Sequence, residues 1–112
     1  MKLGFSTSKL EKQCETRSSR RRAFGDERGK RLGRRLSALL AAACLEDLRG
    51  APGRLHELKG DRAGQFSLDL DGPYRLIFEP VLSGGENPGP SGGLSWSHIT
   101  HVRILSIEDT HA

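Results

Sequence analysis

The sequence predicts an α+β fold in which two N-terminal helices pack on one face of a small antiparallel β-sheet. Three observations support this prediction: an alternating stretch at residues 65–79, an apolar helical stripe at residues 26–49 and an apolar stretch at residues 96–107. At 112 residues the chain is long enough for one core, so we expect a single domain over residues 1–112.

Residues 65–79 have the pattern of a half-buried hairpin, with apolar side chains at every second position. These are Phe66, Leu68, Leu70, Tyr74, Leu76 and Phe78. The Asp71-Gly72 dipeptide marks the turn. A two-residue loop there would place Leu68 opposite Arg75 and mix the two faces. A three-residue loop that includes Pro73 restores the pattern and sets Asp69 opposite Arg75 on the polar face, so we predict that register.

The N-terminal half is predicted to be mostly helical. Ser8 and Glu11 fit a capping box, which predicts a helix that begins near Ser8. The polar run at residues 17–22 is interpreted as a loop or a helix end. A second helix is predicted from a cap at Asp26 to a stop at Gly50 and Pro52. Its apolar stripe comprises Leu32, Leu36, Leu39, Leu40 and Ala43.

Four other segments complete the predicted sheet and its connections. Residues 2–5 fit an edge strand, and residues 55–59 fit a short strand that stops at Gly60. The Gly- and Pro-rich residues 83–93 are predicted to be a flexible loop. Residues 96–107 are predicted to form the last strand, central in the sheet because apolar side chains occur on both parities.

The charge is uneven along the chain. Residues 1–62 carry 16 Lys and Arg against 8 Asp and Glu, whereas residues 63–112 carry 2 against 6, which together give the net charge of +4. A basic half of this kind suits a polyanionic partner such as RNA or an acidic protein segment. The alternative is a solvated helix surface.

The sequence also predicts where the protein is located and whether its two cysteines are reduced. No apolar run is long enough to span a membrane, and the first residues lack the apolar core of a signal peptide, so we expect a cytoplasmic protein. Cys14 and Cys44 have no metal-site spacing and lie on helical patterns, which favours reduced thiols over a disulfide.

Two clusters carry groups suited to proton transfer and charge stabilisation. The first comprises Arg54, His56, Lys59 and Arg62, and the second is the tail with Asp109 and His111. Two histidines beside cations suit cleavage of RNA without a metal, in which one group takes the 2′-OH proton and another protonates the leaving 5′-oxygen. Such residues can equally be solvated polar side chains. His56 and Lys59 converge only if the chain bends near residues 58–60.

Several segments together resemble the HigB branch of the RelE/ParE toxin superfamily. They are RLSALLAAACLEDLRGAPG at 35–53, HELKGDR at 56–62, GQFSLDL at 64–70, PYRLIFEP at 73–80 and EDTH at 108–111. The resemblance runs from about residue 30 onward. It implies a RelE-like fold and a toxin of a type II toxin–antitoxin system that cuts mRNA on the ribosome, with no cofactor.

The resemblance also implies partners and site residues. The partners are a helix-turn-helix antitoxin of the HigA type, the ribosome and mRNA, with operator DNA contacted only through the antitoxin. The implied catalytic residues are His56, Lys59, Arg75, Asp109 and His111. Arg75 can instead pair with Asp69 across the hairpin. Thr110 stands where the family has a tyrosine, so a ring that stacks on a base is missing.

RNA contacts are predicted for basic residues outside the catalytic set: Arg31, Arg34, Arg35, Arg54 and Arg62. Two other functions compete with the nuclease. One is a non-nuclease toxin, either a ParE-like topoisomerase poison or an inactive toxin that binds only its antitoxin. The other is a regulatory subunit whose basic surface holds an acidic antitoxin segment.

Overall fold

A computed structural model describes residues 1–82 and 95–110. These residues form three α-helices and five β-strands. The elements are β1 (Lys2–Phe5), α1 (Ser8–Glu15), α2 (Arg17–Phe24), α3 (Asp26–Ala41), β2 (His56–Glu57), β3 (Phe66–Asp69), β4 (Tyr74–Pro80) and β5 (His101–Asp109). Short 3-10 turns at Leu45–Leu48, Gly60–Arg62 and Trp96–His98 lie between them. The predicted loop at residues 83–93 lies outside the described residues.

The strands form one sheet in the order β1-β5-β4-β3-β2. The sheet is mixed, because β1 runs parallel to β5 while the other neighbours are antiparallel. The three helices follow β1 in the chain, and they form part of the long connection that a parallel pair of strands needs. β1 is an edge strand and β5 is interior, as predicted.

The β3–β4 hairpin has the predicted register. Leu68 pairs with Leu76, and Asp69 pairs with Arg75. The Leu70 N–H donates to the Tyr74 carbonyl at 2.9 Å, which closes the three-residue loop. Gly72 has a φ of +52°, a left-handed conformation that glycine adopts without a Cβ penalty.

The core lies between the helices and one face of the sheet. Leu32 and Leu39 of α3 are fully buried, as are Leu76 and Phe78 of β4. The predicted apolar stripe is therefore confirmed at Leu32, Leu36 and Leu39. Leu40 is an exception, because it is 60% exposed.

The polar run at residues 17–22 belongs to a helix, α2, rather than to a loop. Thr16 and Ser19 form a reciprocal capping box, with each side chain accepting from the other residue's N–H at 2.9–3.0 Å. The Arg20 Nη1 donates to the Cys14 carbonyl at 2.8 Å and ties α2 to the end of α1. Asp26 does not cap α3 with its side chain; it pairs with Arg21. These local polar contacts replace the apolar stripe that a helix prediction relies on.

The helix α3 ends at Ala41, so the prediction of a stop at Gly50 and Pro52 was wrong. Ala42 is extended, and the Met1 ammonium donates to the carbonyls of Leu39 and Leu40 at 3.0 Å. The chain then turns so that Leu45 enters the core, and tertiary burial overrides the helix propensity of the alanines. Ala43 therefore lies beyond the helix.

The last predicted strand is also shorter at its start than the sequence pattern indicates. Trp96–His98 is a 3-10 turn, and β5 begins at His101. The Trp96 ring packs edge-on against Phe66, with the two centroids 5.4 Å apart. This contact folds the segment before β5 against the core instead of extending it along the sheet.

Candidate active site on the open face of the sheet

The sheet face that points away from the helices, here called the open face, carries the polar side chains of the hairpin. Register places them in two adjacent rows. One row comprises Asp69, Arg75 and Glu108, and the other comprises His56, Ser67, Ile77 and Ser106. Residues that face each other across neighbouring strands lie on the same side of a sheet, so these side chains share one surface.

A cavity of about 330 Å³ opens on this face. It is lined by Arg54, Leu55, His56, Ser67, Asp69 and Arg75. The structure thus brings together three of the predicted site residues, Arg54, His56 and Arg75. His56 is exposed on β2 opposite Ser67, where an incoming substrate can reach its imidazole.

Asp69 binds both arginines of the cavity. Its Oδ2 lies 2.6 Å from the Nε of Arg54, and its Oδ1 lies 2.8 Å from the Nε of Arg75. The pairing of Asp69 with Arg75 across the hairpin is therefore present. The two cations and one carboxylate leave a net positive charge in the cavity, which suits a phosphodiester.

The two arginines differ in how available they are to a ligand. The Arg75 side chain is 22% exposed, and its Nη1 donates to the carbonyls of Gly72 and Tyr74, each at 3.0 Å. The Arg54 side chain is 81% exposed. Arg54 also has a φ of +48°, an uncommon backbone conformation for a residue with a side chain. Arg54 is therefore the cavity arginine that a phosphate reaches first.

Lys59 lies where the chain leaves the sheet. β2 stops at Glu57, and the Leu58 N–H donates to the Gln65 carbonyl at 2.9 Å. A 3-10 turn then begins at Gly60, whose φ is +64°. The bend that would let Lys59 approach His56 is therefore present at the predicted position. Lys59 is exposed, and its catalytic role stays a prediction.

Glu108 is a residue of this face that the sequence prediction missed. Its carboxylate accepts hydrogen bonds from Arg62 Nη1 at 3.1 Å and Nη2 at 2.6 Å, and from the Ser106 hydroxyl at 2.5 Å. The hydrogen bonds from Arg62 hold the pKa of the Glu108 carboxyl below its usual range. Strict alternation from the buried Val102 and Ile104 would place Glu108 on the helix side of the sheet, and the register shift between β4 and β5 at Ile77 and Phe78 moves it to the open face.

The C-terminal part of the predicted site is placed differently from the cavity residues. Asp109 pairs with Tyr74, so register places it on the helix side of the sheet, away from Arg75. Thr110 donates from both its N–H and its hydroxyl to the Pro73 carbonyl, each at 3.0 Å. His111 lies outside the described residues. The structure therefore does not bring Asp109 to the open face, and the catalytic role of His111 stays a prediction.

The predicted RNA-binding arginines of α3 lie in the helix layer. Arg31 pairs with Glu27 at 2.8 Å. Arg34 is exposed and lines a groove between α2 and α3. The groove has a volume of about 800 Å³ and is lined by Arg17, Arg20, Arg21, Asp26, Gly29, Lys30, Gly33, Arg34 and Ser37. The sheet separates this basic groove from the open face, so the two surfaces cannot hold the same nucleotide.

Arg35 makes a contact within the fold and is not free to bind RNA as predicted. Its Nε donates to the main-chain carbonyl of Asp69 at 2.8 Å, and burial lowers the pKa of its guanidinium. Gly53 makes room for it, because a Cβ there would lie 2.7 Å from the Arg35 Nε. Arg35 therefore joins α3 to the hairpin.

The described residues contain no group of three or more His, Cys, Asp or Glu side chains that could hold a metal ion. Their helices are all too short or too polar to cross a membrane. Cys14 and Cys44 are free thiols, and burial raises the pKa of Cys14 to about 11.

Comparison with known proteins identifies the family. A family model described as the RelE-like toxin of the type II toxin–antitoxin system HigB matches residues 4–85. The chain belongs to the HigB-like toxin family. Its membership makes it a type II toxin, and an antitoxin partner follows from that class. A search of curated proteins finds no match.

The fold of this HigB-like toxin is found in a solved structure. A YoeB/ParE toxin from Agrobacterium tumefaciens is similar to it with a TM-score of 0.58 and 16% sequence identity. The similarity covers 97% of this chain and 98% of that one. At this identity the likeness concerns the fold alone, and it confirms the predicted RelE-like α+β architecture.

Proposed function

We propose that this HigB-like toxin is a ribosome-dependent mRNA endonuclease that cleaves RNA through the ribose 2′-OH without a metal ion. The observation that carries the proposal is the cavity in which His56 lies beside Arg54 and Arg75. A histidine supplies a proton acceptor or donor near neutral pH, and the arginines supply charge at the phosphate. The family membership supports a toxin that acts in this way.

The proposed reaction is a transesterification. The 2′-oxygen attacks the phosphorus as its proton passes to a base, and the 5′-oxygen leaves with a proton from an acid. The products are a 2′,3′-cyclic phosphate and a free 5′-OH. His56 and His111 share the two proton transfers, while Lys59, Arg54 and Arg75 stabilise the charge on the phosphate. Asp109 orients a histidine of the tail in this scheme.

The proposed partners follow from the same scheme. The substrate is mRNA on the ribosome, in the cytoplasm, and the basic groove between α2 and α3 contacts RNA backbone through Arg34 and its neighbours. Arg31 adds to this basic surface. The antitoxin is a helix-turn-helix protein of the HigA type, and the toxin contacts operator DNA only through it.

The experiment is induction of the toxin without its antitoxin, followed by sequencing of mRNA 5′ ends. We expect growth arrest and cuts within translated regions. His56→Ala should lower cleavage by about 100- to 10,000-fold, the usual contribution of a general acid or base. His98→Ala is the matched control, because His98 is also exposed but lies in the turn before β5.

Three results would contradict the proposal. Equal growth arrest by the parent, His56→Ala and His111→Ala would exclude the assigned histidines. A DNA-damage response with intact mRNA would instead indicate a topoisomerase poison, and no arrest at all would indicate a toxin that only binds its antitoxin. Purified toxin on mRNA-programmed ribosomes tests the chemistry directly, because a 2′-deoxy nucleotide at the cleavage position of the mRNA should abolish the cut.

A further inference from the structure

The Arg62 side chain reaches across the open face to Glu108. Arg62 lies in the connection between β2 and β3, whereas Glu108 lies on β5, and β4 separates β3 from β5 in the sheet. Neighbouring strands are about 4.8 Å apart, so the bridge spans roughly two strand spacings. Both terminal nitrogens of Arg62 bind the Glu108 carboxylate, and the Ser106 hydroxyl also donates to it. The arginine is thereby held in one orientation.

The residues in the adjacent row are more buried than an open sheet surface allows. Register places Ser67 and Ile77 on the open face, yet they are only 5% and 1% exposed. Ile77 is not among the residues of the main apolar core. This row is therefore shielded from solvent, and the bridge between Arg62 and Glu108 crosses the same face of the sheet.

We propose that the Arg62–Glu108 bridge is a strap that fixes the turn at residues 59–62 over the open face, and that Glu108 is thereby a positioning residue for RNA cleavage. The catalytic part of this inference rests on the proposed function. The Arg62 N–H donates to the Lys59 carbonyl at 3.2 Å, so a displacement of Arg62 also displaces Lys59. Arg62 then acts through the turn and not as an RNA ligand.

The strap and the RNA-ligand role predict opposite effects of one substitution. If Arg62 binds phosphate, Glu108→Gln removes a competing carboxylate and increases RNA binding and cleavage. If Arg62 is part of the strap, Glu108→Gln frees the turn and lowers cleavage by roughly tenfold to a hundredfold, since small misplacements of a catalytic group have effects of this size. The loss falls on the maximal rate more than on the half-saturating RNA concentration.

The experiment combines hydrogen–deuterium exchange of full-length toxin with single-turnover cleavage on mRNA-programmed ribosomes. The variants are Glu108→Gln, Arg62→Lys and the double exchange Arg62→Glu/Glu108→Arg. Arg62→Lys keeps the positive charge but loses the two-pronged contact. Glu79→Gln is the matched control, because Glu79 pairs with Arg103 at 2.9 Å with 31% and 46% side-chain exposure, close to the 29% and 43% of Glu108 and Arg62.

We expect faster exchange at residues 58–65 and slower cleavage in both single variants, partial recovery in the double exchange, and parental values in the control. Unchanged exchange in a folded Glu108→Gln protein would overturn the strap. Faster exchange with unchanged cleavage would overturn the positioning role. Should the parent protein cleave nothing, the proposed nuclease function fails, and the exchange data still decide whether the strap exists.

Discussion

Asp69 lies directly opposite Arg75 in the β3–β4 hairpin, and its Oδ1 lies 2.8 Å from the Arg75 Nε. The other carboxylate oxygen binds Arg54, and the main-chain carbonyl accepts from Arg35. The Asp69 N–H donates to the Gly53 carbonyl at 2.7 Å. One residue therefore links the hairpin, the segment before β2 and α3, and it also sets the charge of the cavity.

Asp69→Asn should weaken the fold and strengthen RNA binding. The loss of two charge-assisted contacts lowers the free energy of unfolding by about 1–3 kcal/mol, most of it at the less exposed Arg75. The released guanidiniums of Arg54 and Arg75 then become available to phosphate. Urea denaturation measures the first effect. RNA binding over a range of salt concentrations measures the second, because each added phosphate contact steepens the salt dependence.

The control for this substitution is Asp71→Asn at the hairpin turn. Asp71 also binds an arginine with both carboxylate oxygens, but its partner Arg28 belongs to α3 and stacks on Tyr74. Asp71→Asn should lower stability without a change in RNA affinity. Equal RNA affinity for the parent and Asp69→Asn would mean that the cavity arginines do not contact RNA.

Arg34 and Arg35 are adjacent in sequence and should respond differently to alanine. Arg35→Ala removes the contact to the Asp69 carbonyl and should lower the free energy of unfolding by about 1–3 kcal/mol. Arg34→Ala changes an exposed residue of the basic groove, so stability should shift by less than about 0.5 kcal/mol. Urea denaturation of both variants separates the two roles.

The Arg34→Ala variant also tests whether the groove between α2 and α3 contacts RNA. Arg34→Ala should weaken RNA binding and reduce the salt slope by roughly one phosphate contact. Parental binding and salt slope in Arg34→Ala would exclude the groove as an RNA surface.

The hairpin was predictable in detail because its information is local. Alternation fixes which residues share a face, and only the three-residue loop keeps Leu68 opposite Leu76. The fold class followed from the same pattern together with the apolar stripe of α3. The cavity residues Arg54, His56 and Arg75 could also be predicted from the sequence, because all three lie on the hairpin or on the segment that leads into it.

Other features depend on contacts that no local pattern records. The helix α2 contains no buried residue, and a capping box and the Arg20 contact to Cys14 hold it in place. The end of α3 depends on where Leu45 finds space in the core. Glu108 joins the open face only through the pairing of β4 with β5, which includes a register shift between Ile77 and Phe78.

Gly29 and Gly33 lie on α3 beside α2 and should differ in their tolerance of a methyl group. A Cβ at Gly29 would lie 2.9 Å from the Arg20 carbonyl oxygen, so Gly29→Ala forces two helix backbones apart. We expect a loss of about 1–3 kcal/mol of unfolding free energy. A Cβ at Gly33 would meet the Arg20 guanidinium at 3.1 Å, and that side chain can move.

Gly33→Ala is therefore the control within the same helix. The gain in helix propensity, about 1 kcal/mol, offsets the displacement of Arg20, so the net change should stay within about 1 kcal/mol of the parent. Thermal unfolding of both variants checks the pair. Equal destabilisation would show that the limit is the Arg20 side chain and not the backbone contact.

Glu108 gives the strap a pH dependence whose sign follows from its lowered pKa. The hydrogen bonds from Arg62 favour the ionised carboxyl in the folded state, below the ordinary pKa of 4.5. The resulting stabilisation is complete above that value and is lost as the pH falls through the lower folded-state pKa. Because the pair is partly exposed, its size should be at most about 1 kcal/mol. Urea denaturation from about pH 7 to about pH 3 should show a stability difference between the parent and Glu108→Gln that shrinks on acidification. A difference that stays constant over this range would mean that the charge of Glu108 contributes nothing to the strap.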